Sequence, residues 1–166
     1  MANALISSRL DGVNSILLGL PDKELKRLQT IQNILCRIVC RLPRRSHVTS
    51  FLKKLHWLPV KSRILFKLNT ITYKALNTGH PSYLKRFITP YTCTVNTRRS
   101  DPSKKVLTEF PFKSRIYSSK KHFNSSFAHL APNSWNNLPL HIKSASTLAS
   151  FRHRLKTHMF TLAYPP

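Results

Sequence analysis

The 166-residue chain carries 28 Lys and Arg against five Asp and Glu, which gives a formal net charge of +23 at pH 7. So few acids disfavour two-metal phosphoryl transfer and glycoside hydrolysis, because both reactions need clustered or paired carboxylates. A hydrophobic content of 41% is enough for a core and excludes a disordered basic tail, while three Gly against eleven Pro predict a mainly helical fold.

Residues 3–18 predict a first amphipathic helix, which Gly19 and Pro21 end. Its apolar side consists of Leu5, Ile6, Leu10, Val13 and Leu17. A mitochondrial transit peptide has a similar pattern, but this segment has a single Arg and contains Asp11. Because a transit peptide is rich in cations and poor in acids, an ordinary first helix is favoured.

A second helix is predicted over residues 23–42, with Asp22 as its cap and Glu24 in its first turn. The seven apolar residues that form its predicted buried stripe are Leu25, Leu28, Ile31, Leu35, Ile38, Val39 and Leu42. The other half of the helix carries a continuous basic stripe. This stripe consists of Lys26, Arg37 and Arg41, and beyond Pro43 it continues with Arg44 and Arg45.

Three further helices are predicted before residue 88, at 49–55, at 59–77 and at 81–87. The main apolar face of the 59–77 helix consists of Val60, Ile64, Leu65, Leu68, Ile71, Ala75 and Leu76. Arg63, Lys67 and Lys74 line up on another face, and Gly79 ends the helix. Residues 1–87 therefore predict a small helical bundle.

The pattern changes at residue 88. Residues 88–126 lack periodicity and predict a basic linker, with a short β-hairpin as an option around 106–117, where Pro111 limits any strand to an edge. Residues 127–166 predict a smaller helical region, with one or two turns around Trp135 and a last helix capped by Ser146 or Thr147. The apolar face of this last helix consists of Leu148, Phe151, Leu155, Met159 and Leu162.

No group of residues predicts catalysis, and we expect no metal and no cofactor. Cys36 and Cys40 could join Cys93 and a histidine in a zinc site, but Cys-x3-Cys within a helix lacks the knuckle of zinc modules, so packing in or beside the core is favoured. The eight His fall in no catalytic motif. For Trp57 and Trp135, core packing is favoured over base stacking.

Five dibasic or tribasic clusters with almost no acidic neighbours favour contact with phosphate over an inert surface. The predicted partner is RNA, DNA or an RNA–DNA hybrid, bound without sequence preference, since phosphate contacts do not read bases. The predicted nucleic-acid-binding residues are Lys26, Arg37, Arg41, Arg44, Arg45, Lys53, Lys54, Arg63, Lys67, Arg98, Arg99, Lys104, Lys105, Lys120 and Lys121.

The composition also predicts where the protein works. Three Cys, an odd number, favour a reducing compartment, so we expect the nucleus or cytoplasm rather than secretion. No apolar run approaches the ~20 residues of a membrane span. A membrane-active cationic protein is disfavoured, because the basic residues are spread along the chain instead of following one helix.

Five segments in order carry a family resemblance: SRLDGVNSILLGLP, LQTIQNILCRIVC, LHWLPVKSRILFKLNTITYKALN, PSYLKRF and APNSWNNLPLHIKSASTLASFRHRLKTHMF. Together they resemble the C-terminal part of the reverse transcriptase of non-LTR (LINE-type, jockey-like) retrotransposons, over nearly the whole chain. In that family a helical thumb follows the palm and grips the template–primer duplex. The resemblance implies that residues 1 to about 80 are similar to the thumb and residues 95–166 to the C-terminal region behind it.

The palm and its pair of catalytic Asp have no counterpart in this chain. The resemblance therefore implies a C-terminal fragment without RNA-directed DNA polymerase activity, which binds nucleic acid through basic helix faces. Two alternatives stay open: the product of a truncated reading frame with no selected role, and an unrelated basic RNA-binding or structural protein.

Overall fold

The computed structural model describes residues 19–90, 107–108 and 124–165. Their seven helices are α1 (Asp22–Val39), α2 (Thr49–Lys54), α3 (Val60–Thr78), α4 (Ser82–Lys85), α5 (Phe127–Asn136), α6 (Leu140–Lys143) and α7 (Leu148–Ala163). These ranges contain no β-strand, and an isolated antiparallel bridge joins Pro90 to Leu107. The predicted mainly helical class is confirmed. The predicted helix 3–18 and nearly all of the predicted linker and hairpin lie outside the described residues.

Three helix ends show how local residues set the boundaries. Pro21 occupies the N-cap position of α1, and its carbonyl oxygen accepts from the Glu24 amide at 2.9 Å. The prediction that Asp22 caps this helix was wrong, because Asp22 is already helical and lies in the first turn. Gly79 has φ +71°, the left-handed conformation that commonly ends a helix. Thr147 caps α7 as predicted, since its Oγ1 accepts from the Ser150 amide at 3.2 Å.

Two compact units make up the structure: Met1–Lys67 with Lys156–Pro166, and Leu68–Leu155. The predicted regions 1–87, 88–126 and 127–166 follow sequence pattern alone and stay a prediction. None of the described helices is long and apolar enough to cross a membrane.

The core of the first unit forms around the last turns of α1. Cys36, Val48, Leu52 and Tyr164 are buried together, and the partly buried residues packed against them are Cys40, Phe51, Leu55, Trp57, Phe160 and Ala163. The Tyr164 hydroxyl donates to the Trp57 carbonyl oxygen at 2.8 Å. Trp57 thus packs against the core, as predicted, and Tyr164 fixes the backbone at that position.

Two glutamines decide which face of α1 is buried. Gln29 Oε1 accepts from the Val60 amide at 2.9 Å, and Gln32 Nε2 donates to the Leu58 carbonyl oxygen at 2.9 Å. These bonds satisfy backbone groups at the start of α3, where no helical partner exists. They turn α1 so that Gln32, Leu35 and Cys36 are its buried residues.

The predicted buried stripe of α1 is therefore wrong for three of its seven members, and three others are half-buried. Ile31, Ile38 and Val39 are exposed, and only Leu35 of the seven predicted residues is buried. At 3.6 residues per turn, the buried side is displaced by roughly 50° from the centre of the predicted stripe.

The core of the second unit is aromatic. Phe151 stacks on Tyr73 with ring centroids 4.3 Å apart, and the centroids of Phe151 and Trp135 are 5.8 Å apart. The Tyr73 hydroxyl donates to the Ala145 carbonyl oxygen at 2.8 Å. Phe151 and Trp135 are 0% and 2% exposed, so the predicted docking of α7 and the core position of Trp135 are confirmed.

The last helix buries less of its predicted apolar face than expected. Leu155 and Met159 are buried, and Leu148 is half-buried. Leu162 is 68% exposed, so its predicted place on the buried face is wrong. In its last turn the helix packs through Phe160 and Ala163 instead.

Polar side chains buried in the second unit were not predicted. Asn69 and Thr72 on α3 are both 0% exposed. Asn69 Nδ2 donates to Ser134 Oγ at 2.8 Å, and the Thr72 hydroxyl donates to the Leu68 carbonyl oxygen at 2.9 Å. Lys143 is 5% exposed, and its Nζ donates to the Asn136 carbonyl oxygen, at the end of α5, at 3.1 Å.

We expect the stability of the protein to depend on pH through Lys143. Burial lowers the pKa of this ammonium group below its ordinary value of 10.5. Between the lowered pKa and 10.5 the unfolded chain binds more protons than the folded chain, so the free energy of unfolding rises with pH in that window. Urea unfolding at pH 7 and pH 10 should show the wild type gaining stability relative to Lys143→Met. A difference between the two proteins that is constant with pH would contradict this.

Candidate nucleic-acid interface

The chain leaves α1 through a tight turn that places an arginine where glycine is usual. The Leu42 amide donates to the Arg37 carbonyl oxygen at 2.8 Å, and the Arg41 amide donates to the Ile38 carbonyl oxygen at 3.2 Å. These two bonds define a Schellman motif, in which the residue at the position of Arg41 is left-handed. Arg41 has φ +52°, which costs a residue with a side chain about 1 kcal/mol or more.

The end of α2 repeats this geometry. The Trp57 amide donates to the Leu52 carbonyl oxygen at 3.0 Å, and the His56 amide donates to the Lys53 carbonyl oxygen at 3.1 Å. His56 has φ +53° and is exposed. Two successive helices thus end with a nitrogen-bearing side chain at a position that strains its backbone.

Arg37 holds the loop between these helices. Its Nε donates to the Ser46 carbonyl oxygen at 3.2 Å, and its side chain is half-buried. Arg44 and Arg45 in the same loop are exposed. Arg37 therefore supports the loop that presents Arg44 and Arg45, in addition to its predicted role in binding.

The loop and α2 lie against the last turns of α1, because Cys36 and Cys40 pack with Val48, Phe51 and Leu52. Lys53 and Lys54 are exposed in the last turn of α2, and Lys54 Nζ lies 5.6 Å from the centre of the Phe51 ring. Five exposed cations thus follow one another at this end of the unit. We call them the basic surface: Arg41, Arg44, Arg45, Lys53 and Lys54.

The acids of the described residues lie at the far end of α1. Asp22 and Glu24 occupy its first turn, and Glu24 is already paired with Arg27 at 3.0 Å. With 18 residues, α1 is about 27 Å long. This length exceeds the screening distance of about 8 Å at physiological salt several times over. Within the described residues, these two acids therefore leave the basic surface uncompensated.

Of the other predicted nucleic-acid-binding residues, three lie within the described residues and six lie outside them. Lys26 is exposed near the start of α1, while Arg63 and Lys67 on α3 are half-buried. Six predicted residues lie outside the described residues: Arg98, Arg99, Lys104, Lys105, Lys120 and Lys121.

Sequence reasoning missed exposed cations on α7. Arg152 and Lys156 lie one turn apart and are both exposed. They do not form an adjacent basic pair in the sequence, because cations on one helix face are spaced by three or four residues. Nearby, Arg154 Nη1 donates to the His141 carbonyl oxygen at 2.7 Å.

Cys36 and Cys40, at the end of α1, pack in and beside the core, as predicted. Cys36 is 0% exposed and Cys40 is half-buried, and both are free thiols. Burial, and then the neighbouring Cys40, raises the pKa of the Cys36 thiol. Burial, and then Cys36, raises the pKa of Tyr164 to about 12, so its hydroxyl remains a donor to Trp57. In the ranges the structure covers, no group of three or more His, Cys, Asp or Glu is placed to hold a metal ion.

We expect Arg41→Gly to stabilise the protein while weakening its binding to nucleic acid. Glycine adopts φ +52° without strain, so the free energy of unfolding should rise by about 0.5–1 kcal/mol. The same change removes one cation of the basic surface. Chemical unfolding and hybrid-binding titrations of the one variant test both parts. If Arg41 only stabilises the α1 terminus by its charge, the variant will instead be less stable and bind equally well.

No family model, curated protein or solved structure matches this chain. The resemblance to non-LTR reverse transcriptases therefore stays a prediction.

Proposed function

We propose that this protein binds nucleic acid without sequence preference through its basic surface, as a catalytically inert C-terminal fragment of a retrotransposon reverse transcriptase. The observation that carries the binding is the group of five exposed cations at the ends of α1 and α2, far from the acids of the first turn of α1. The family resemblance supports the proposed retrotransposon origin, and the positive charge supports nucleic acid as the proposed partner.

The partner follows from the chemistry of the basic surface. Arginine presents a fork of donors that matches two phosphate oxygens, and Arg41, Arg44 and Arg45 offer three such forks. Phosphate contacts release condensed counterions, which favours binding to any sequence of sufficient charge density. A duplex or RNA–DNA hybrid presents phosphates at this density along both strands.

The proposal assigns no chemical step to this chain. Polymerase chemistry needs carboxylates that hold two metal ions, and the five acids are dispersed in the sequence. Primer extension with magnesium or manganese should therefore give no product above a buffer control. Extension that survives repurification and is lost on replacing Asp11, Asp22 or Asp101 would contradict this part of the proposal.

Salt dependence tests the binding itself. If about six phosphates are contacted, a plot of log K against log salt should have a slope of about −5. Fluorescence anisotropy with a labelled RNA–DNA hybrid and with a second hybrid of unrelated sequence would measure this slope and the absence of preference. Affinity that does not change between low and moderate salt would rule out the proposed mode of binding.

A further inference from the structure

The side chain of Asn136, the last residue of α5, binds the backbone of Leu107 through two hydrogen bonds. Asn136 Oδ1 accepts from the Leu107 amide at 2.9 Å, and Asn136 Nδ2 donates to the Leu107 carbonyl oxygen at 3.0 Å. In an antiparallel sheet, a residue exchanges the same two bonds with the residue opposite it on the neighbouring strand. The carboxamide of Asn136 therefore takes the place of a neighbouring strand and recognises an extended backbone.

A second partner holds the next residue from the opposite edge. The Thr108 amide donates to the Thr89 carbonyl oxygen at 2.9 Å, and the antiparallel bridge joins Leu107 to Pro90. In an extended chain, successive residues direct their backbone groups to opposite edges. Asn136 and Thr89 thus lie on either side of this segment, which is held as a middle strand of a sheet is held.

The side chains of this segment follow the same extended pattern. Leu107 is 3% exposed, while Thr108 is exposed. Side chains of an extended chain alternate between two faces, so one aliphatic side chain is buried and the next points to solvent. Backbone bonds that accept any extended segment, together with one buried side chain that selects it, are typical of sites that bind a peptide as an added strand.

Contacts that do not involve Leu107 hold Asn136 in place. Its carbonyl oxygen accepts from Nζ of Lys143, which is 5% exposed, at 3.1 Å. Just beyond it, the Leu138 amide donates to the carbonyl oxygen of the buried Trp135 at 3.0 Å. The carboxamide is thus fixed to the aromatic core of the second unit, which preorganises it for a ligand.

We propose that Asn136 and Thr89 form a docking site for an extended peptide with one aliphatic side chain, and that Leu107 and Thr108 occupy this site from within the same chain. A peptide of this chemistry from another molecule binds there when the internal segment is displaced. Positions 91–106 connect the two parts in the sequence, so the internal segment is tethered to its site and competes at a high effective concentration. The site contains no residue of the basic surface, so peptide binding does not require nucleic acid.

Peptide binding to the full chain tests this site. The probe is a fluorescent, acetylated and amidated peptide with the sequence of residues 105–109, in which one Lys and one Glu cancel in charge. Leu107→Asn in the protein removes the internal anchor without changing the net charge. In anisotropy titrations, we expect this variant to bind the peptide at least about tenfold more tightly than the wild type does. A peptide that itself carries Leu107→Asn should bind the variant at least about tenfold more weakly.

The role of Asn136 is tested in the same Leu107→Asn background. Asn136→Ala removes both bonds to the peptide backbone and should weaken peptide binding about tenfold. The matched control is Asn137→Ala, because Asn137 is the next residue and is exposed. This control should leave the affinity for the peptide unchanged.

Three results would overturn the proposal. They are equal affinities of the wild type and Leu107→Asn, including no binding by either, equal affinities for the two peptides, and equal effects of Asn136→Ala and Asn137→Ala. If circular dichroism shows that Leu107→Asn has lost helix content, Thr108→Pro takes its place in every comparison. Proline lacks the amide that donates to the Thr89 carbonyl oxygen, so this variant releases the internal segment by a different route.

Discussion

Reversing the charge of Arg41, Arg44 and Arg45 to Glu is expected to remove most binding to an RNA–DNA hybrid. Three lost phosphate contacts should make the salt slope shallower by about 2.7, and three new negative charges add repulsion. Affinity at moderate salt should therefore fall by roughly tenfold or more. Arg37 stays unchanged, because its bond to the Ser46 carbonyl oxygen holds the loop, and its loss would mix a structural effect with an electrostatic one. Anisotropy titrations at several salt concentrations measure both quantities.

The matched control reverses Lys74, Lys85 and Arg86, which are exposed and belong to the second unit. It changes the net charge by the same amount but leaves the basic surface intact. Circular dichroism should show equal helix content in both triple variants. If both variants lose the same affinity and the same slope, net charge alone drives binding, and the assignment of the contact to the ends of α1 and α2 fails.

Composition and periodicity predicted α2, α3 and α7 well, because prolines or caps mark their ends and each has an apolar side. They gave α5 only one or two turns where it has ten residues, they ended α1 three residues too late, and they did not predict α6. The predicted ranges 49–55 and 59–77 differ from α2 and α3 by one residue at each end or less. The rotation of α1 was not predictable from hydrophobicity. It depends on hydrogen bonds from Gln29 to the Val60 amide and from Gln32 to the Leu58 carbonyl oxygen, about 30 residues away. The sequence pattern of a glutamine does not indicate such a distant backbone partner.

In the candidate site, too, some features could be predicted from the sequence and others could not. The charge and sequence positions of Arg41, Arg44 and Arg45 were predictable, since no fold is needed to see adjacent cations. The left-handed turns at Arg41 and His56 were not, because sequence rules expect glycine there and the chain supplies other residues. The burial of Asn69 was not predictable either, because its bond to Ser134 joins residues 65 positions apart in the sequence.

Phe151→Ala is expected to destabilise the protein by about 3–5 kcal/mol. Phe151 is 0% exposed and its ring stacks on both Tyr73 and Trp135, whose centroids are 6.5 Å apart, so its removal leaves a cavity beside large rings that cannot close over it. Chemical unfolding followed by circular dichroism measures the change. The matched control is Leu162→Ala on the same helix, where the side chain is 68% exposed and the cost should stay within about 0.5 kcal/mol.

A second variant separates the cavity from the aromatic contact. Phe151→Leu keeps most of the buried volume but removes the stacking with Tyr73, so it should cost clearly less than the alanine change, with about 0.5–1.5 kcal/mol attributable to the lost ring pair. The free energy of unfolding should therefore increase from Phe151→Ala to Phe151→Leu to the wild type, because each step restores buried volume or the ring contact. If Phe151→Ala and Leu162→Ala cost the same small amount, α7 is not docked through Phe151, and the aromatic core does not stabilise this unit.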